Sequence, residues 1–190
     1  MIVLAASSPS PLWYLSRGTG AVALLLLTVS VVLGILNQRR WRPAGWPRFV
    51  LDAMHRNVSL LVLALLAVHI ASSVIDSYVP IRLVDAFVPF LSAYHPVWLG
   101  LGALAFDLLL AVLITSMLRR YLGHPAWRMV HWLAYVSWPV AVMHGLTIGT
   151  DVKSAWLLAL TATCAVAVLI ATWARVIAAN AARAESAVAR

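Results

Sequence analysis

A chain of 190 residues that is 63% hydrophobic and only 11% charged is not a water-soluble domain, since such domains carry about a quarter charged residues. The net charge of +8 does not point to nucleic acid, because the arginines gather in short loops between apolar runs. The single cysteine, Cys164, excludes a disulfide framework and a thiolate metal site, and its place inside an apolar run marks it as a packing residue.

The apolar runs are too long for barrel strands. Backbone polar groups in lipid must be satisfied within the segment, so the spans are helices. The expected fold is all-α: one integral membrane helical bundle over residues 1–190, with about five transmembrane helices and a sixth segment that is short or re-entrant. The opening MIVLAASSPSPLWYL has no basic n-region and no clear cleavage site, so it does not read as a signal peptide.

The first span runs from about Leu12 to Asn37. It carries Gly20 and Gly34, fourteen residues apart. Small residues at membrane helix contacts permit close approach. They could let a flat cofactor pack on the backbone, or simply let two helices meet.

The second span runs from about Asp52 to Ile75 and holds His55 and His69, again fourteen apart. A helix rises about 21 Å over that distance. One imidazole therefore lies near each face of a bilayer core about 30 Å thick. After it comes VDAFVPFLSAYHP, too short to cross, which reads as a re-entrant or interfacial segment. Its His95 could line an acceptor or quinol site.

The third span, about Pro96 to Leu118, has Asp107 at its middle. A carboxyl there is neutral or paired. It serves either proton movement or a contact with a neighbouring helix. The loop that follows contains His124, read as a solvated loop residue.

The fourth span runs from about Ala126 to Ile148, with His131 and His144 thirteen apart. At about 100° per residue, thirteen steps leave the two rings about 140° out of line. Pro139 lies between them, and proline distorts a helix. A distortion near Pro139 is therefore expected to turn His131 and His144 towards one face. Trp138, midway between them, is either an aromatic relay or a packing residue. The fifth span runs from about Ser154 to Ile177.

Arginine counting orients the bundle. Arg39, Arg40, Arg42, Arg48 and Arg56 lie at one inter-span connection, Arg119, Arg120 and Arg128 at another, and Arg175, Arg183 and Arg190 towards the tail. With five spans all three groups share one side, which is expected to be cytoplasmic. The N-terminus is then outside and the C-terminus inside. Only Arg17, Arg82 and Lys153 fall on the outer side. Spans two and four run in the same direction, so His55 and His131 share an inner layer and His69 and His144 an outer one.

A lone membrane histidine is commonly a hydrogen-bonding residue. Four in two depth-matched layers are another matter, because each ionisable group in the membrane costs roughly 2 kcal/mol or more. Neutral imidazole is a strong axial ligand of haem iron, and bis-axial ligation favours electron transfer. Two stacked pairs suggest two haems. Their propionates would need cations. Arg48, Arg56 and Arg128 are candidates at the inner layer, and Arg82 and Lys153 at the outer. A small helical metal or proton transporter, or an assembly subunit without haem, is the competing reading. It does not explain the matched layers.

The segments HRNVSLLVLALLAVH (His55 to His69) and HWLAYVSWPVAVMH (His131 to His144) resemble the two haem-binding helices of the ferric reductase-like transmembrane domain. That family includes NADPH oxidases, ferric reductases and the haem subunit of the bacterial methionine sulfoxide reductase system. The resemblance covers most of the chain, although the family core commonly has six spans. It implies two b-type haems, ligated by His55 with His131 and by His69 with His144. It implies a haem subunit of a membrane oxidoreductase in the cell membrane, passing electrons to an outer-side acceptor. Only about a dozen residues follow the last span, and no G-x-G-x-x-G is present. The expected donor is therefore a separate flavoprotein, or quinol in the membrane, and any flavin belongs to a partner.

Overall fold

The computed structural model describes residues 10–38, 47–77, 79–148 and 153–188. Six helices follow in order: α1 (Pro11–Gln38), α2 (Arg48–Ile75), α3 (Pro96–Met117), α4 (Arg119–His131), α5 (Leu133–Thr147) and α6 (Ala155–Val188). A 3₁₀ turn (Leu83–Ala86) stands between α2 and α3. The expected all-helical membrane bundle is what forms. Among the described residues, α1, α2, α3 and α6 are each long and apolar enough to cross a membrane.

The fourth expected span is made in two pieces. α4 and α5 meet at Trp132, one residue after His131, where the backbone stays right-handed helical but tightens, and Pro139 lies inside α5. The distortion expected near Pro139 is thus found seven residues earlier. Its cause is visible in the backbone. The Trp132 amide donates back to Met129 O and Val130 O, and the Tyr135 amide donates to Trp132 O. These are tightened turns of the 3₁₀ type, reached before proline. A break falls at Gly123, whose φ of 73° a side chain would strain, ahead of Pro125.

The segment after α2 does not cross. The 3₁₀ turn and the loop that follows hold six exposed large apolar side chains: Leu83, Val84, Phe87, Val88, Phe90 and Leu91. Phe90 takes a positive φ of 67° and lays its backbone and ring against Gly100, where a Cβ would clash. Inside the turn, the buried Asp85 accepts bonds from the Arg82 amide (2.9 Å) and guanidinium (2.7 Å).

The arrangement of helices positions the histidines. α1 is the central element and packs on α2, α5 and α6, while α3 packs on α5. α2, which carries His55 and His69, has no extended packing against α4, which ends at His131, or against α5, which carries His144. A slot is left between them. The core follows α1, with Ala23, Leu27, Val31 and Ile35 buried, and meets Cys164 of α6, itself 1% exposed. Cys164 is thus the packing residue expected.

A candidate two-layer histidine centre

Each layer of histidines closes across the slot. His55 and His131 lie with ring centres 6.2 Å apart and planes at 67°. His69 and His144 lie 6.5 Å apart at 86°. The sequence spacing supplied the depth, and the structure shows both pairs facing.

The Nδ1 atoms show how three rings are held. Nδ1 of His69 bonds Ser16 O at 2.8 Å, Nδ1 of His55 bonds Ser30 O at 3.0 Å, and Nδ1 of His144 bonds Trp98 O at 2.8 Å. A carbonyl only accepts, so each Nδ1 carries the proton and Nε2 is left as the free base. Metal-binding imidazoles are commonly held in this way, with the second ring nitrogen donating to a carbonyl. Nδ1 of His131 is buried without a partner, and its ring lies beside that of Trp127 at 4.9 Å.

Serines repeat the pattern fourteen residues apart. Ser16 and Ser73 hydroxyls bond at 2.6 Å, and Ser30 and Ser59 at 2.7 Å. Ser73 and Ser59 also donate to His69 O and His55 O, each at 2.7 Å. The sequence held this signal unread: S-x-x-x-G twice on α1 and H-x-x-x-S twice on α2.

Gly20 faces the ring of His69 and Gly34 that of His55. Gly102, which has no glycine fourteen residues away on α3, faces His144. The tryptophan Trp138 sits between the layers and donates to Thr28 Oγ1 at 2.9 Å.

The candidate cations are scattered. Arg56, Arg128 and Lys153 are exposed, and the side chain of Arg48 lies outside those described. Arg82 is engaged with Asp85. Arg39, Arg40 and Arg42 lie outside the described residues. Arg17, counted only for topology, is the basic residue that lines a largely apolar cavity with His69 and His144, and it donates to Ile148 O at 3.1 Å. His95 is exposed at the start of α3 and does not line that cavity, although Tyr94 does. Asp107 is half-buried within α3, and His124 is exposed.

The donor set decides what the centre could hold. A bare metal ion needs about three or more protein donors. No group of three His, Cys, Asp or Glu that could hold one occurs among the described residues. Haem iron brings four porphyrin nitrogens and asks the protein for two axial ligands. Two metal–imidazole bonds of about 2 Å set ring centres about 6 Å apart, and both pairs match. The residues present therefore fit a haem in each layer.

A family described as ferric reductase like transmembrane component matches residues 19–142. That stretch contains His55, His69 and His131 and ends two residues before His144. No curated protein and no solved structure matches the chain.

Proposed function

The chain belongs to the ferric reductase-like transmembrane component family, and on that premise we propose that it is a dihaem cytochrome b. It carries electrons across the cell membrane as the haem subunit of an oxidoreductase. The observation that carries the reading is the pairing of four histidines in two layers, at ring-centre distances of 6.2 and 6.5 Å.

Bound haem would supply one-electron chemistry at its iron. The residues of the chain do the rest. His55 and His131 would hold the inner haem, and His69 and His144 the outer. Backbone carbonyls on α1 and α3 fix three of these rings so that Nε2 is the free nitrogen. Apolar side chains from α1, α2 and α3 surround the outer layer. Arg17 offers the outer layer a positive charge.

Direction follows the arginines. The inner end of the bundle presents exposed Arg119, Arg120 and Arg128 on α4. These suit an anionic donor protein such as a cytoplasmic flavoprotein, with membrane quinol as the other donor. The acceptor is a redox partner on the outer side, the N-terminus being outside and the C-terminus cytoplasmic.

Vesicles loaded with ferricyanide test the transfer. With the purified protein in the membrane, dithionite added outside should bleach the trapped ferricyanide well above the rate for empty vesicles. Equal rates in both would sink the proposal.

A further inference from the structure

Three of the four histidines are held by one device. Each Nδ1 reaches a carbonyl on the backing helix, and a glycine stands four residues after that carbonyl: Ser16 with Gly20, Ser30 with Gly34, Trp98 with Gly102. In an α-helix the carbonyl of residue i points to the amide of residue i+4. The side chain at i+4 therefore screens that oxygen from a neighbour. Glycine removes the screen.

The three contacts are graded. A Cβ on Gly102 would stand 2.5 Å from Cε1 of His144, and one on Gly20 would stand 3.0 Å from Cε1 of His69. A Cβ on Gly34 would meet His55 at 3.5 Å, an ordinary contact. Both tight glycines thus belong to the outer layer.

The fourth histidine lacks the device. Ser116 stands fourteen residues after Gly102, as Gly34 stands fourteen after Gly20. So α3 carries a side chain at the register where α1 repeats its glycine. The Ser116 hydroxyl accepts from the Trp127 indole at 3.2 Å, and Trp127 lies beside His131, whose Nδ1 has no acceptor.

Resting on the dihaem reading above, we infer that Gly20, Gly34 and Gly102 are positioning residues for the histidines, and that the two sites are unequal by construction. The outer pair is locked at both rings. The inner pair is anchored at His55 alone, and His131 is oriented by Trp127. A backbone bond to Nδ1 makes the imidazole a stronger donor and tunes the metal. Crowding a glycine should therefore act on one haem and leave the other as an internal control for folding.

The test uses the purified full chain with Gly102→Ala, Gly20→Ala and Gly34→Ala. Gly18→Ala serves as the control, since a Cβ there meets nothing within 4 Å. Haem per chain, the two midpoint potentials and the low-spin electron paramagnetic resonance signals are read. Gly102→Ala should lose one of two haems, leaving the spectrum of the His144→Ala protein. Gly20→Ala should raise the outer midpoint or lose that haem, with the inner midpoint unchanged. Gly18→Ala should match the wild type, and Gly34→Ala should disturb only the inner haem, and by less than Gly102→Ala disturbs the outer one. The inference is overturned if Gly102→Ala keeps both haems at wild-type midpoints or loses both together. It is also overturned if Gly34→Ala does as much damage as Gly102→Ala. A wild-type chain without haem would instead overturn the dihaem reading itself.

Discussion

The imidazoles of His69 and His144 face each other at 6.5 Å although they stand seventy-five residues apart, on helices that barely pack together. Each ring leans on a different neighbour: His69 on Ser16 of α1, and His144 on Trp98 of α3. The backing helices, rather than direct packing of α2 on α5, hold the slot open.

Single histidine replacements should separate the layers. His69→Ala or His144→Ala should remove the outer haem and keep the inner one, while His55→Ala or His131→Ala should do the reverse. Haem per chain with the remaining midpoint potential reads the outcome. Four variants that each lose both haems equally would argue against two independent layers.

Arg17 should tune the outer layer. A positive charge beside a redox centre favours the form with the extra electron. Arg17→Gln should lower the outer midpoint and leave the inner one unmoved. Potentiometric titration reads both together, and an unchanged outer value would mean that the Arg17 charge does not act on the outer layer.

The Trp138 indole spans from α5 to Thr28 of α1 at 2.9 Å, between the two layers. Losing a bond of this kind costs about 1 kcal/mol, so Trp138→Phe should lower the melting temperature slightly and keep both haems. A slower rate of electron transfer through vesicles in that variant would mark the indole as part of the path. An unchanged rate would leave it as a tie between helices.

The 3₁₀ turn should respond to acid. Bonds from Arg82 hold the Asp85 carboxyl below the usual carboxylate range, against the opposing effect of burial. A lowered folded value means that its stabilisation is present above the unfolded value and is lost as pH falls through the folded one. Asp85→Asn should therefore destabilise the 3₁₀ turn at neutral pH, and the gap from wild type should close in acid. Proteolysis of the segment before α3 measures this, and a gap that widens in acid would contradict it.

The histidine spacing was enough to read the layers, because depth in a membrane follows helix rise alone. Facing was harder. It goes with tightened turns around Trp132, a local amide bonding that no residue type announces. Pro139 looked the natural place for a kink, yet α5 runs through it. The acceptors of Nδ1 are main-chain atoms, so only their accompanying glycines leave a trace. Gly20 and Gly34 stood out because they repeat, whereas Gly102 has no glycine partner on α3 at that spacing. Arg17 was read for topology, and its cavity became visible only once α1, α2 and α5 were brought together.

A reduced-minus-oxidised absorbance spectrum of the purified chain, with haem quantitation, tests the central claim most directly. Two histidine layers predict a sharp b-type α-band and two haems per chain. A folded, colourless protein would contradict the account.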